Sequence, residues 1–544
     1  MEMGTLYEAV AQQARIRPDS TALAHAQGTV AYRELHRLAA CAAAGLQARG
    51  VGPGDVIAVQ LPNSLPFVAV LLAAGALGAS VQMLHMPYRR AELSALLRHG
   101  GASVFVGLPA YKEESPLATV DSLGLVRLLV CGVEQDGPAA ATAAAVSWSQ
   151  LLAATGEPRR PLPLVDAGSR YVLLHTSGTT AEPKGVPVSH RQFIGNAAAS
   201  LGPLQVQASD VLLPAAPFTH LYGLFVLEMG LLAGACVSLL PAFTPAALID
   251  TIRRDRVCAV FAGPAHFRPL LSMEDRTGVD ALKDLRLVCL SGTAVAAQLA
   301  QAVEALMTHG KVIQLWGMSE LQAGAYARPD DPAEIRHHTA GRPSPGTELR
   351  IRHDEAPSGV EAAAGAAAAA GRTDPGSADV GDAASRVGLL QVRGPSLFTG
   401  YLDNPAATAA AFEDGWFSTG DLGYLTADGA LVLTGRSKEI INRGGIKFNP
   451  LDVEAVIDRL PGVVRSAVVP MPDPVLGERA CAFVEASGPL TLEQVTAALD
   501  HAGIARYKWP ERLEMVAEMP MTPTQKVMRG RLAARFEKPA GAGR

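Results

Sequence analysis

The stretch YVLLHTSGTTAEPKGVPVSH, residues 171–190, decides how the rest of the chain is interpreted. Residues 171–174 form a short apolar run that predicts a buried strand. A loop rich in hydroxyl side chains follows and ends at Lys184. Hydroxyls and backbone N–H groups can surround an anion with several oxygens, glycine allows close backbone approach, and a lysine supplies the countercharge. The loop therefore indicates a phosphate site, although a solvated turn has a similar composition and the Walker A pattern is absent.

The same loop resembles the phosphate-binding loop of the adenylate-forming enzymes, the superfamily of acyl-CoA synthetases, adenylation domains and luciferases. Their pattern is [ST]SG[ST]TGxPKG, and this chain departs from it at Ala181, where the family usually has glycine. If that position required a positive φ, the extra methyl group would cost about 1 kcal/mol. The resemblance implies that ATP contacts Thr176, Ser177, Gly178, Thr179, Thr180 and Lys184.

Composition limits the class of protein. A chain of 544 residues suggests two or more domains, and a net charge of −5 gives no sign of a nucleic-acid partner. The six cysteines are scattered without CxxC pairs, which favours a reduced, cytoplasmic protein without disulfides or structural zinc. The N-terminus, MEMGTLYEAV, carries acidic residues where a signal peptide would carry basic ones.

Two apolar stretches are candidates for membrane segments. Residues 67–78 are shorter than the roughly 20 residues that span a bilayer. Residues 211–243 are long enough, but prolines, a histidine and a glutamate interrupt them. Both stretches therefore predict buried core elements and no integral membrane segment.

Strands alternate with helices of 10–15 residues near the start of the chain, a pattern typical of a mostly parallel sheet covered on both faces. Together with the resemblance, it implies an α/β fold with a large N-terminal domain, residues 1–437, of mostly parallel sheets covered by helices plus a small β-barrel-like part. A small mobile α+β domain, residues 438–544, would follow. Residues 357–386 are rich in Ala and Gly and predict a disordered insertion loop between two strands.

Further segments follow in the order of the superfamily's motifs. Residues 213–223, LPAAPFTHLYG, resemble its P-x-x-H-x-x-G segment, and residues 263–267 and 291–294 follow predicted strands. Loops at the carboxyl ends of parallel strands are where open α/β sheets build their sites. The resemblance implies that Ser291, Gly292 and Thr293 cradle the acyl group and adenine. An apolar, partly aromatic pocket for a ring or a medium chain would be lined by Phe218, His220, Tyr222, His266 and Phe267.

Residues 316–320, WGMSE, resemble the motif [YF]G[MS]TE. The resemblance implies that Trp316 and Gly317 border adenine, that Ser319 bonds a phosphate oxygen, and that Glu320 holds Mg²⁺. Farther along, GWFSTGDLG and GRSKEI resemble two more motifs. They imply that Asp421 and Arg436 bind the ribose hydroxyls and that Lys438 is the hinge between the domains.

The last two motifs lie in the small domain. Residues 443–450, RGGIKFNP, resemble the loop that enters the site for thioester formation, so Arg443, Gly444 and Gly445 are expected on the CoA side. Residues 520–527, PMTPTQKV, resemble PxTxxGK[IV], with Gln525 in place of the glycine. Lys526 keeps the lysine position and is expected to contact the carboxylate and the α-phosphate together.

The resemblance, seven motifs in family order across residues 171–527, implies an ATP-dependent carboxylate-activating enzyme, most similar to acyl- or aryl-CoA synthetases. Its cofactors would be ATP, Mg²⁺ and CoA, and its catalytic residues Lys526, Lys184, Glu320 and His220. One alternative is an adenylating enzyme that loads a carrier protein instead of CoA. Another is a nucleotide-binding scaffold that has lost catalysis, an alternative supported only by Ala181 and Gln525. An α-amino acid substrate is disfavoured, because the acidic residue that adenylation domains place near the position of His220 is missing.

Overall fold

The computed structural model describes residues 4–133, 145–153, 161–176, 184–272, 279–353, 387–444, 446–522 and 526–536. The helices of the first part of the chain are α1 Leu6–Ile16, α2 Tyr32–Gln47, α3 Leu65–Leu77, α4 Arg90–Gly100, α5 Pro116–Leu123, α6 Trp148–Leu152, α7 His190–Ser200, α8 Leu221–Ala233, α9 Pro245–Asp255, α10 Pro264–Ser272, α11 Ala297–Glu304 and α12 Ala333–His338. Its strands are β1 Thr21–His25, β2 Gly28–Ala31, β3 Val56–Gln60, β4 Ser80–Met83, β5 Val104–Gly107, β6 Leu128–Cys131, β7 Ala145–Val146, β8 Arg170–Thr176, β9 Lys184–Ser189, β10 Val211–Pro214, β11 Cys236–Ser238, β12 Ala259–Ala262, β13 Leu287–Leu290, β14 Lys311–Met318, β15 Gln322–Tyr326 and β16 Arg342–Pro343.

Two large sheets organise these elements. The nine-stranded sheet has the order β16-β15-β14-β13-β12-β10-β11-β1-β2, and its inner strands β14 to β1 pair in parallel. The seven-stranded sheet has the order β7-β6-β5-β3-β4-β8-β9, and only its last pair is antiparallel. Parallel strands require helical crossovers that cover the sheet faces, which explains why the central strands are apolar throughout.

Alternate residues of the nine-stranded sheet enter two different cores. Leu212 and Phe261 pack into the largest core cluster, whereas Leu213 and Val260 pack into a second cluster with α9, α10 and α11. Because successive side chains of a strand point to opposite faces, the two clusters lie on opposite faces of this sheet.

The apolar stretches weighed as membrane segments are buried elements. In α3 every residue is buried, and the helix begins after the N-cap Ser64 and ends at Gly78, whose φ of 68° suits glycine. Residues 211–243 contain β10, α8 and β11. Within the described ranges, no helix is both long enough and apolar enough to cross a bilayer.

A smaller antiparallel sheet follows, built from β17 Glu348–Arg352, β18 Gly388–Arg393, β19 Phe412–Glu413, β20 Trp416–Leu425 and β21 Leu431–Arg436, with the helix α13 Pro405–Ala411 beside it. The chain then passes through a short 3₁₀ turn, Ser437–Glu439, into another sheet. That sheet contains β22 Ile441–Arg443, β23 Ile446–Phe448, β24 Val463–Asp473, β25 Gly477–Ala486 and β26 Arg512–Met515, with the helices α14 Pro450–Ile457, α15 Leu492–His501 and α16 Arg529–Ala533.

The α/β fold, with mostly parallel sheets and helices in the large part and a smaller mixed part at the end, confirms the prediction from the sequence. The predicted insertion loop, residues 357–386, lies outside the described residues.

Candidate active site

The base of the predicted phosphate loop is a pair of adjacent strands. Thr176 ends β8 and pairs with Lys184, which begins the antiparallel strand β9. The Nζ atom of Lys184 lies 4.5 Å from the ring centroid of Tyr401, a cation–π contact that fixes the position of the ammonium. Four other predicted phosphate ligands lie outside the described residues: Ser177, Gly178, Thr179 and Thr180.

Tyr401 connects Lys184 to Glu320. Its hydroxyl donates a hydrogen bond to Glu320 Oε1 at 3.0 Å. Burial raises the pKa of the Glu320 carboxyl, and the Tyr401 hydroxyl and the Arg436 guanidinium oppose this effect. The Lys184 ammonium, the Tyr401 phenol and the Glu320 carboxylate therefore form one continuous polar cluster beside the loop.

The Glu320 carboxylate fits a divalent cation. Only one of its two oxygens has a side-chain partner among the described residues, so the other can accept a metal ion. Among all the residues that the structure describes, no group of three or more His, Cys, Asp or Glu side chains could hold a metal ion by itself. Mg²⁺ is usually bound by one or two carboxylates together with substrate phosphates, so a single carboxylate beside a phosphate loop is a compatible donor set.

Trp316, Asp421 and Arg436 come together from three distant motifs. The indole N–H of Trp316 donates to Asp421 Oδ2 at 2.9 Å, and Nε of Arg436 donates to Asp421 Oδ1 at 2.9 Å. Trp316 and Asp421 are buried, and the Asp421 carboxylate raises the pKa of Arg436. Each carboxylate oxygen can still accept a second hydrogen bond, so this cluster can receive two vicinal hydroxyls.

Backbone geometry constrains two neighbouring positions of the predicted nucleotide site. A Cβ atom at Gly317 would lie 2.0 Å from the carbonyl oxygen of Gln322, so only glycine fits where β14 passes β15. Gly292 has a φ of 96°, which also favours glycine. Ser291 is buried, Thr293 is exposed, and Ser319 is partly exposed in the turn before Glu320.

His220 lies at the start of α8, where its Nδ1 accepts a hydrogen bond from the backbone N–H of Tyr222 at 3.2 Å. The pKa of His220 lies well below its usual range because of burial first, and then because of the nearby Lys526 ammonium and His85. An imidazole that stays neutral can hydrogen-bond a substrate without repelling the lysine.

The predicted acyl-pocket residues do not all lie together. Phe218 and Tyr222 are buried in the largest core cluster with His220 between them in sequence, and the Tyr222 hydroxyl donates to the Cys289 carbonyl at 2.8 Å. Phe267 packs instead into the second cluster, on the opposite face of the nine-stranded sheet. The prediction that Phe267 lines the same pocket as Phe218 is therefore dropped, because the sheet separates the two rings.

His266 lies in the first turn of α10, beside Phe267, and its ring is hydrogen-bonded to the loop that precedes the helix. The backbone N–H of Gly263 donates to His266 Nδ1 at 3.1 Å, and the ring packs edge-on against Phe243 with centroids 4.5 Å apart. Burial lowers the pKa of His266. Its imidazole thus holds the loop that follows β12.

Lys526 approaches the nucleotide and acyl parts of the site from the last segment of the chain. Its pKa is lowered to about 8 by burial first and then by Arg436, while Asp421 and Glu439 act in the opposite direction. Its positive charge also lowers the pKa of His220. Lys526 therefore lies within electrostatic range of both the Asp421–Arg436 pair and the histidine at the start of α8.

Lys526 and the residues near it make several hydrogen bonds and ion pairs. The backbone N–H of Lys526 donates to Thr522 Oγ1 at 3.0 Å, and that of Thr522 donates to the Lys526 carbonyl at 2.7 Å. Three residues later, Arg529 donates to Glu454 Oε2 at 2.6 Å and its Nε lies 3.4 Å from Glu439 Oε2. Gln525 itself lies outside the described residues.

Two of the predicted CoA-side residues, Arg443 and Gly444, make contacts within the last part of the chain. Arg443 pairs with Glu511 and donates to the Tyr507 carbonyl at 3.2 Å, and both partners belong to the last part of the chain. Gly444 has a φ of 59° and donates its N–H to the Leu476 carbonyl at 2.7 Å, while Gly445 is not described. Lys438, the predicted hinge, is exposed in the 3₁₀ turn between β21 and β22.

Two site residues lie outside every sequence motif considered. Tyr401 bridges Lys184 and Glu320, and His85 bonds Thr219 beside His220. Neither stands at a motif position, so only the tertiary contacts reveal them. The weak signal for His85 was its place just after a short apolar strand, where the carboxyl ends of parallel strands build sites.

The fold and this site define an adenylate-forming enzyme. A family model described as AMP-binding enzyme matches residues 10–402, and one described as AMP-binding enzyme C-terminal domain matches residues 452–526. The chain therefore belongs to the AMP-binding enzyme family. Relatives of the chain are named as CoA ligases and a CoA synthase, and the chain is an acid–thiol ligase of the AMP-forming class.

Among its relatives are the medium-chain fatty-acid–CoA ligase of Escherichia coli K12, 30% identical over 95% of this chain and 88% of the relative, and the salicyl-AMP ligase / salicyl-S-ArCP synthetase of Mycobacterium tuberculosis, 32% identical over 96% and 89%. Among solved structures, ATP-bound MatB from Rhodopseudomonas palustris has a TM-score of 0.81 at 25% identity, covering 98% of this chain and 99% of that one. Apo MatB, at the same identity and coverage, has a TM-score of 0.70.

Proposed function

We propose that this chain uses ATP and Mg²⁺ to convert a carboxylic acid into an acyl-adenylate with release of pyrophosphate, and then transfers the acyl group to CoA. The observation that carries the proposal is the position of Lys526, which lies within electrostatic range of His220 and of the Asp421–Arg436 pair. A cation shared by the proposed acyl and ribose sites would offset the negative charge where a carboxylate meets an α-phosphate.

In the first half-reaction a carboxylate oxygen attacks the α-phosphorus of ATP, the bond to the β-phosphate oxygen breaks, and pyrophosphate leaves. Two anions must approach each other, so the main task of the protein is charge neutralisation and in-line positioning. Lys526 would offset the charge on the carboxylate and α-phosphate, and Lys184 the charge on the outer phosphates. Glu320 would hold Mg²⁺, which supplies further neutralisation of the phosphate oxygens when bound.

The ribose and adenine would be held by groups that are already paired with one another. Asp421 would accept the two ribose hydroxyls while Arg436 and Trp316 keep its carboxylate in place. Since those partners fix the carboxylate before the nucleotide arrives, little side-chain entropy remains to be lost on binding. Ser291, Gly292, Gly317 and Ser319 complete the proposed nucleotide site.

The second half-reaction needs a different arrangement. A thiolate attacks the acyl carbon, the bond to the AMP oxygen breaks, and AMP leaves as the thioester forms. The loop at Arg443 and Gly444 is engaged within the last part of the chain while Lys526 is turned toward the site. We infer that residues 438–544 form a mobile domain that rotates about Lys438 between the half-reactions, relative to a large domain of residues 1–437.

Two observations support an adenylating orientation. The chain is more similar to MatB with ATP than to MatB without it, with TM-scores of 0.81 and 0.70. Lys526 toward the site is also the arrangement that the first half-reaction requires. Thioester formation would follow only after the last domain turns.

For the acid, we propose an aromatic ring or a medium-length chain. Phe218 and Tyr222, which lie on either side of His220 in sequence, are buried in an apolar core, and the relatives named above act on a medium-chain fatty acid and on salicylate. A carrier protein is the second candidate acceptor, because one of these relatives is named as a salicyl-S-ArCP synthetase.

The test is an acid panel containing benzoate, 2-hydroxybenzoate, hydroxycinnamates and octanoate, with pyrophosphate release measured first without a thiol. Products are then identified by mass spectrometry with CoA or with a phosphopantetheinylated carrier protein. We expect acid-dependent pyrophosphate release and an acyl-CoA. Thioester on the carrier alone would favour the second acceptor, and no release with any acid would favour a nucleotide-binding scaffold without catalysis.

A further inference from the structure

His85 lies after β4, outside every sequence motif, yet it reaches the site. Its Nδ1 lies 2.8 Å from Thr219 Oγ1, and its ring centroid lies 6.5 Å from that of His220. In the seven-stranded sheet β4 pairs in parallel with β8, with Val81 opposite Val172. β4 ends at Met83, so His85 lies just beyond the carboxyl end of a strand that neighbours β8.

The segment around His85 is held in place by a buried amide. Nε2 of Gln60, at the end of β3, donates to the carbonyl oxygens of His85 and Tyr88, each at 3.0 Å, and lies 3.3 Å from that of Met86. Gln60 is fully buried, and the Tyr88 ring packs against the imidazole with centroids 5.3 Å apart. A backbone segment fixed in this way keeps the histidine in one position.

Thr219 sets which nitrogen of His85 carries the proton. Thr219 is buried, and His85 Nδ1 is the partner that the described residues provide for its hydroxyl. A buried hydroxyl needs an acceptor for its hydrogen, which favours the tautomer in which Nδ1 accepts and Nε2 carries the proton. His85 keeps some accessible surface. An Nε2–H group would then be available as a donor to a ligand.

The charges around this donor favour an anion. Burial lowers the pKa of His85 to about 4, so the ring is neutral at pH 7. Burial also lowers the pKa of its neighbours His220 and His175, and the Lys526 ammonium lowers that of His220 further. No carboxylate of the described chain contributes to the pKa of these three histidines. A negatively charged ligand at this position would find hydrogen-bond donors, and none of these carboxylates would repel it.

We propose that His85 donates its Nε2–H to the carboxylate of the acid substrate, as a second histidine of the acyl pocket beside His220. After adenylate formation the same donor contacts the acyl carbonyl oxygen. This inference rests on the proposed function, since it assigns a contact to the acid that the enzyme activates. Thr219 acts through His85 as a positioning residue.

The test measures binding by calorimetry with three probes: AMP, benzoyl-sulfamoyl-adenosine and octanoyl-sulfamoyl-adenosine. The two sulfamates are stable analogues of an acyl-adenylate and keep the acyl carbonyl. His85→Phe retains a ring but lacks the donor, so we expect about a 10-fold loss of affinity for the analogue that binds wild type better, and unchanged affinity for AMP. His85→Gln places an amide donor near the lost Nε2–H and should bind within about threefold of wild type.

Thr219→Val and His25→Gln complete the series. Thr219→Val removes the group that fixes the tautomer and should give an intermediate loss for the analogue only. His25, which pairs with Gln27 at the surface, is the matched histidine control and should bind like wild type. Equal affinity of His85→Phe and wild type for the analogue overturns the role of His85. Failure of wild type to bind AMP or either analogue overturns the proposed function instead, so the two failures are distinguishable.

Discussion

Arg268 of α10 and Asp458, which follows α14, form an ion pair with Nη1 and Oδ2 3.1 Å apart. The first residue belongs to the large part of the chain and the second to the small part at the end, so the pair joins the two. Asp458 is also held by the hydroxyl of Ser466, 2.7 Å from its Oδ1. This contact exists in the orientation that turns Lys526 toward the site, and a rotation about Lys438 would break it.

Arg268→Ala should therefore shift the balance between the two orientations. Both side chains are partly exposed, and such pairs contribute about 0.2–1 kcal/mol, so we expect the rate of adenylate formation to fall only about two- to fivefold. Thioester formation from supplied acyl-adenylate should be unchanged or faster. Arg253→Ala, which breaks a surface pair with Asp280 inside the large part, is the control. An equal loss in both half-reactions would contradict a role in orientation.

Lys438→Pro should separate the half-reactions much more strongly. Proline fixes φ near −65°, a value that suits the 3₁₀ turn at Ser437–Glu439, and so it would hold the present orientation. We expect pyrophosphate release within several-fold of wild type and thioester formation reduced by orders of magnitude. Lys438→Ala removes the same side chain but leaves φ free, and it should support both steps. The rotation is excluded if the proline variant forms thioester at the normal rate with saturating CoA.

The pH profile of adenylate formation should reveal Lys526. Its pKa is lowered to about 8, so the fraction of ammonium in the free enzyme decreases as the pH rises through that value. We expect kcat/KM for acid-dependent pyrophosphate release to decline above about pH 8 in wild type. Lys526→Arg stays charged, so it should have a lower rate but no such decline. Superimposable pH profiles for the lysine and arginine enzymes would show that the decline has another source.

Glu228 of α8 should make stability depend on pH. It is fully buried, its Oε2 accepts a hydrogen bond from Gln322 at 2.6 Å, and burial raises its pKa from 4.5 to about 8. Between these two values the unfolded chain ionises Glu228 while the folded chain keeps it protonated, so stability falls as the pH rises, by at most about 1.4 kcal/mol per pH unit.

Glu228→Gln has nearly the same shape and cannot ionise, so it lacks this dependence. Its free energy of unfolding, measured in urea at pH 5, 6, 7 and 8, should exceed that of wild type by a margin that grows toward pH 8. Glu92→Gln, on the exposed first turn of α4, is the control and should follow the wild-type curve. A constant difference between Glu228→Gln and wild type at all four pH values would mean that Glu228 is ionised in the folded protein.

The sequence predicts buried elements and site residues well where these depend on side chains that are close together in the sequence. The apolar runs at β8, α3 and α8 predicted buried elements, and the order of the motifs predicted that Trp316, Asp421 and Arg436 belong to one site, where the structure places them side by side. Local sequence patterns, such as glycines, helix caps and the spacing of apolar residues, identify these segments without knowledge of the fold.

Contacts that depend on packing were not predictable in the same way. Which face of the nine-stranded sheet receives Phe267 depends on how α10 folds back, and a short apolar segment does not encode this. Tyr401 and His85 enter the site from segments without a motif, through contacts with residues far away in sequence. Gln322, with a φ of 74°, adopts a conformation that is rare outside glycine, and its side chain is held by Glu228 across the core.

The most direct test of the central claim is ATP–pyrophosphate exchange that depends on an added carboxylic acid, measured for wild type and for Lys526→Ala. The account predicts that at least one aromatic or medium-chain acid supports exchange by wild type. Lys526→Ala should lose that exchange by orders of magnitude but still convert the corresponding acyl-adenylate and CoA into thioester. Exchange that needs no acid, or exchange that survives the loss of Lys526, would contradict carboxylate activation at this site.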